Sequence, residues 1–160
     1  MQICRLVHVW IFACLGLLWL TQSGCGDPRR GALSPESRTE LTSYALRNVN
    51  TPMKYYKLME RMAQLLDQAS ANRSTAAAME AIQKFRADNE LALGVIAQEF
   101  DGWQRHVGHD ELIDFVYTLN QQPYTRKVRQ LAPAFRRRVS DNDQYLREFD
   151  ELMSVLEMRL

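Results

Sequence analysis

Residues 78–107 read AMEAIQKFRADNELALGVIAQEFDGWQRHV, and this stretch decides the fold. Ala78, Ile82, Phe85, Asn89, Ala92, Ile96, Phe100, Trp103 and Val107 follow one another in steps of three and four. A helix closes a turn every 3.6 residues, so these positions form one stripe on one face, a seven-residue pattern with a single polar insertion at Asn89. Gly94 lies inside the stripe and weakens the helix slightly relative to alanine. Gly108 follows it and is expected to end it in a left-handed turn.

The flanking sequence repeats this period. Ser34-Pro35-Glu36 is a helix start, because serine accepts from orphan amides and proline suits the first helical position. Leu41, Tyr44, Ala45 and Val49 follow at helical spacing. Asn50-Thr51-Pro52 repeats the start signal, with Thr51 as the cap. Met53, Tyr56, Met59, Met62 or Ala63, Leu66 and Ala69 then share a face, which stops in the polar cluster Ser70–Thr75. After Gly108, Asp110-Glu111 opens a short helix with Leu112, Phe115, Val116 and Leu119 inward.

Pro123 begins the last stretch, where Val128, Leu131, Phe135, Val139, Asn142, Tyr145, Phe149, Leu152 and Leu156 again step by three and four. Pro133 should bend it, and Ser140 with Asp143 resembles a new cap. Residues 35–70, 74–107 and 124–160 are nevertheless of similar length, each enough for a rod of roughly 50 Å. Rods of matched length bury their stripes along one another, so the expectation is a bent but nearly continuous final helix. No strand-like alternation occurs. The class is therefore all-α: an elongated helical bundle of three long helices, two of them kinked, plus a short one, spanning residues 34–160 after an N-terminal signal segment.

That segment has its own pattern. Arg5 precedes an apolar run from Leu6 to Leu20, broken only by His8 and Gly16, and the run leads into Gln22-Ser23-Gly24-Cys25-Gly26. A charged residue followed by an apolar stretch is the organisation of an export signal. The run is shorter than the roughly 20 residues a membrane-spanning helix needs, and it carries no clear A-x-A site for ordinary secretory cleavage. Small residues directly before a cysteine resemble the lipobox of bacterial lipoprotein precursors, although Gln22 fills the slot where an aliphatic residue is usual. The resemblance covers the first quarter of the chain. It implies cleavage between Gly24 and Cys25, removal of residues 1–24 as a signal peptide, and a covalent lipid such as palmitate on Cys25. It also implies lipid anchorage to a membrane of the bacterial cell envelope facing the periplasm, and Gly26 after the cysteine fits outer-membrane sorting.

Cysteine usage agrees. Cys4 and Cys14 lie inside the signal, so processing would leave Cys25 as a single thiol in an oxidising compartment. Thioether lipidation accounts for it. Residues 25–33, with Gly-Asp-Pro-Arg-Arg-Gly-Ala-Leu after the cysteine, read as a flexible tether.

Charge and motifs narrow the function. Of 20 basic residues only Arg5 lies in the expected signal, leaving 19 against 19 acids. A balanced chain has no global field to draw nucleic acid, so that partner is disfavoured. No glycine-rich phosphate loop, no G-x-S-x-G and no C-x-x-C-H occurs. His106 and His109, near Asp101, Asp110 and Glu111, are the only local group resembling metal ligands, but Gly108 falls between them and no metal is expected. The alternative reading is an exported ligand-binding bundle that holds haem or metal through His106 or His109 and Met53, Met59, Met62 or Met79, although methionines at helical spacing are far more often core filler. From Thr118 to Ser140 there is no acid, while Arg126, Lys127, Arg129, Arg136, Arg137 and Arg138 are basic. They read either as solvated faces paired with neighbouring acids or as a patch for an anionic partner. The function expected is that of a membrane-anchored, non-enzymatic envelope lipoprotein with an interaction or structural role, its partner an envelope protein or a cell-wall component.

Overall fold

The computed structural model describes residues 39–156. The expected signal at 1–24, the tether at 25–33 and the start at Ser34-Pro35-Glu36 lie outside the described residues. Within these bounds the chain is all-α, with six helices and no strand. They are α1 (Glu40–Ala45), α2 (Thr51–Ala71), α3 (Thr75–His106), α4 (His109–Gln121), α5 (Pro123–Val139) and α6 (Asp143–Ser154).

Helix α3 is the spine. Ser74 caps it by accepting from the Ala77 amide, and 32 residues give a length of roughly 48 Å. Ala78, Ile82, Asn89, Ala92, Ile96 and Phe100 of the stripe are buried, with Phe85, Trp103 and Val107 half-buried. Met79 and Leu93 are buried beside them. The apolar face is thus wider than one lane, which suits a helix covered by several neighbours.

Helix α2 runs antiparallel to α3, with Lys54 and Tyr55 of its first turns opposite Glu99 and Phe100 near the other helix's end. Its cap is Asn50, which accepts from the Met53 amide, rather than Thr51. The buried set includes Met59, Met62, Ala63, Leu66 and Ala69 as the period requires, and also Tyr55, Leu58 and Leu65. Met53 instead sits in the first turn on the outer side, 47% exposed. The expected rod at 35–70 is broken at residues 46–50, where Leu46 and Arg47 bond back to Thr42 and Tyr44 and separate α1 from α2.

The final stretch differs most from expectation. It is not one bent rod but two helices folded back on each other. Asn142, not Ser140, caps α6, its side-chain oxygen accepting from the Gln144 and Tyr145 amides at 3.1 Å each. Reversal lets Phe149 pack on Phe135, ring centroids 5.1 Å apart, and brings Asp150 to Arg136. A continuous helix would have carried Phe149 and Leu152 past the end of the bundle, whereas here both are buried. Pro133 does not interrupt α5. It lies on the exposed side with Arg129, whose carbonyl is the one deprived of a helical donor.

Gly108 also departs from expectation. It is extended, φ −67° and ψ 151°, and serves as the N-cap of α4 instead of a left-handed terminus for α3. Two consecutive extended residues, Val107 and Gly108, turn the chain at once into the next helix. No left-handed residue is needed there.

The result is a four-helix arrangement in which α2 contacts α3 and α5, while α6 joins α5 to α3. Gln83 and Arg86 of α3 bond Glu148 and Glu151 of α6 at 2.6 Å each. Helix α1 docks through the polar insertion of the main stripe. Asn89 Oδ1 accepts from the Thr39 hydroxyl at 2.6 Å, its Nδ2 donates to the Phe85 carbonyl at 2.8 Å, and the Thr39 hydroxyl caps α1 at the Thr42 amide. Buried amides need such complete partnering. Replacing Asn142 with alanine strips two first-turn amides of their acceptor and is expected to lower stability by about 1 kcal/mol, read as an earlier urea midpoint with unchanged slope.

Candidate functional site

The basic segment of α5 is divided among several neighbours. Arg136 grips both oxygens of Asp150 through Nε and Nη2, each at 2.8 Å. Arg138 donates to Thr75 Oγ1 and to the Ala69 carbonyl, both at 3.2 Å, so it caps the carbonyl end of α2. Lys127 pairs with Asp67 at 2.9 Å. Arg126 reaches the Gln121 carbonyl at 3.4 Å, at the C-terminal end of α4. Arg129 and Arg137 are exposed. Part of this run therefore ties α5 to α2 and α6, while Arg126, Lys127, Arg129, Arg136 and Arg137 keep exposed side chains.

Several carboxyls are held ionised by such bonds. The hydrogen bond from Arg136 keeps Asp150 below the ordinary aspartate range. Bonds from Gln83 and Gln144 do the same for Glu148, and bonds from Lys57, with the charge of Arg61, for Glu40. Each folded value lies below its unfolded one, so the stabilisation is present above the ordinary carboxylate range and lost as pH falls through the lowered values. The melting temperature is expected to hold down to about pH 5 and then decline. Arg136→Gln should make that acid decline shallower.

The sequence-local histidines are not a converged site. His106 ends α3, and its Nδ1 lies 2.7 Å from the Gly102 carbonyl of its own helix. His109 opens α4 and is exposed. Among the described residues no group of three or more His, Cys, Asp or Glu side chains is placed to hold a metal ion. Met59, Met62 and Met79 are buried in the common core, while Met53 is half-exposed. Cys25 lies outside the described residues, and no described helix is long and apolar enough to cross a membrane.

Two features escaped the periodicity. The first is Lys54, 5% exposed, whose ammonium donates to both oxygens of Glu99 at 3.0 and 2.8 Å. It sits one residue before Tyr55 in a ring cluster. Tyr55 stacks on Phe100 at 4.1 Å, and Phe115 of α4 meets Tyr55, Tyr56, Phe100 and Trp103 at 5.8, 5.3, 5.4 and 5.0 Å. The Tyr55 hydroxyl donates to the Leu156 carbonyl at 2.7 Å, and burial raises its ionisation well above the usual tyrosine range. This cluster fixes α4 across the end of α2 and α3.

The second is the other side of α4. Phe115 and Leu119 are buried, and Leu112 and Val116 half-buried, as their spacing requires. Ile113 and Tyr117, one turn apart, are 51% and 66% exposed. With His109, Leu112, Val116 and Asn120 they line an open apolar groove. The signal was in the sequence: Ile113 and Tyr117 are apolar at positions where a surface helix is normally polar. A second, more polar cleft of about 370 Å³ lies between α2 and α3. Its charges are already engaged, Arg61 with Glu40 at 3.0 Å and Lys84 with Asp88 at 3.1 Å.

Comparison with known proteins adds no relative: no protein-family model, no curated protein and no solved structure matches the chain.

Proposed function

We propose that the protein is a lipid-anchored bacterial envelope lipoprotein whose helical bundle has an interaction or structural role rather than a catalytic one. The observation that carries this reading is Ser23-Gly24-Cys25 behind the apolar run Leu6–Leu20, with no cysteine after Cys25. Acylation explains why one cysteine is kept in an exported chain. A single acyl chain gives marginal attachment, whereas the several chains of a lipoprotein cysteine anchor firmly at about 0.8 kcal/mol per buried methylene.

The bundle supports the second half of the reading. Several of its charged side chains pair one helix to another, and among the described residues α4 carries an exposed apolar face. Such a face suits contact with another macromolecule. Fractionation of cells is the test. The wild-type chain is expected in the membrane fraction and to resist a high-salt wash, while Cys25→Ser is expected to leave that fraction or to persist as the uncleaved precursor. A Cys25→Ser chain that is processed and membrane-bound as before would contradict the reading.

A further inference from the structure

We infer that the outward face of α4 is a self-association surface, occupied by α4 of a second copy of this chain packed antiparallel across a two-fold axis. Helix α4 is apolar on two sides, and among the described residues the bundle covers only one of them. Phe115 and Leu119 enter the ring cluster and core, while Ile113 and Tyr117 stand 51% and 66% exposed beside half-buried Leu112 and Val116. A helix with apolar residues on both faces is normally covered on both. Exposed apolar patches of this kind mark interaction sites, and tyrosine is enriched in them.

Charge chooses the occupant. The N-terminal half of α4 carries Asp110, Glu111 and Asp114 and, apart from His109, no basic side chain. The opposite end carries none of these acids but has the Arg126 guanidinium against the Gln121 carbonyl. Antiparallel apposition of two copies centred near Val116 sets the acid end of each against the basic end of the other, twice over. Parallel apposition would place acids on acids. An anionic bilayer is a poorer occupant, because interfacial helices flank their apolar face with Lys and Arg, and here the flank is acidic. Antiparallel helix dipoles add in the same sense.

Size sets the strength. Thirteen residues make a face about 20 Å long and one helix, about 10 Å, wide, on the order of 200 Å² and well short of the roughly 800 Å² per partner of a standard stable interface. The association is therefore weak and reversible. It does not depend on lipid at Cys25, so its failure and the failure of the anchoring reading are separable.

The test uses the full chain in mild detergent, followed by sedimentation velocity across a dilution series. The wild type is expected to pass from monomer to dimer. Asp110→Arg alone sets two arginines against each other at both ends of the pair, and Arg126→Asp alone sets two aspartates. Each is expected to weaken dimerisation at least about tenfold. An equimolar mixture of the two variants has opposite charges at both ends and is expected to recover the dimer. Recovery also shows that both variants fold. A wild-type chain that stays monomeric throughout, single variants as dimeric as the wild type, or a mixture no better than its components would each overturn the inference. So would capture of anionic vesicles through Tyr117 by a chain that remains monomeric.

Discussion

Phe100→Ala is expected to destabilise the domain by about 3–5 kcal/mol, the cost of deleting a buried ring that its surroundings cannot refill. Phe100 is 4% exposed and stands at the centre of the ring cluster, 4.1 Å from Tyr55, 5.5 Å from Trp103 and 5.4 Å from Phe115 by ring centroids. Three helices meet on it, so collapse of one neighbour into the cavity would pull on the other two. Ring pairs of this geometry add about 0.5–1.5 kcal/mol each beyond burial. In thermal unfolding the substitution should lower Tm by roughly 10–20 °C. Phe100→Leu keeps most of the volume and is expected to cost much less, below about 1.5 kcal/mol. Equal losses for the two substitutions would mean that the ring cluster is not what holds α4 to α2 and α3.

The second large effect is an asymmetry at Lys54 and Glu99. The ammonium side of the pair is buried, with the side chain 7% exposed, whereas the Glu99 side chain is 39% exposed. Removing the carboxylate strands a charge in the interior, while removing the ammonium leaves a carboxylate that reaches water. Glu99→Ala is therefore expected to cost about 2–4 kcal/mol, near the range for breaking a buried pair from one side. Lys54→Met, which keeps the stem and removes the charge, should cost less than about 1 kcal/mol or even stabilise. Chemical denaturation of both variants and of the double variant checks this. If Lys54→Met proves the costlier change, the pair is held by the glutamate's environment and the account of its burial is wrong.

Much of the fold was legible in spacing. The stripe from Ala78 to Val107 is the spine of the bundle, and even its flaw was informative, since Asn89 is where α1 is hydrogen-bonded to α3. Boundaries were less legible because caps compete locally. Thr51 and Ser140 are good capping types, yet Asn50 and Asn142 are the residues whose side chains meet the amides. The reversal at residues 140–142 was hidden for a related reason. A stripe that steps by three and four continues in register through a turn that happens to preserve the phase, so periodicity alone does not distinguish one rod from a hairpin. What decides is tertiary: Phe149 and Leu152 have a core to enter only if the chain folds back.

The candidate sites were legible to a smaller degree. The basic run on α5 was visible, but its partners Asp67, Asp150, Thr75 and the Ala69 carbonyl come from three other helices and have no signature near it in sequence. Nothing local in the sequence marks Lys54 as buried, because its partner Glu99 lies 45 positions away. Ile113 and Tyr117 were readable in principle, because their exposure follows from which side of α4 the ring cluster claims.

The central claim, that this bundle is held to the envelope through Cys25, is tested most directly by the mass of the N-terminal peptide of the mature chain extracted from membranes. The expected peptide begins at Cys25 and carries a diacylglyceryl thioether. An unmodified Cys25 thiol, or a chain that begins at another residue, would contradict it.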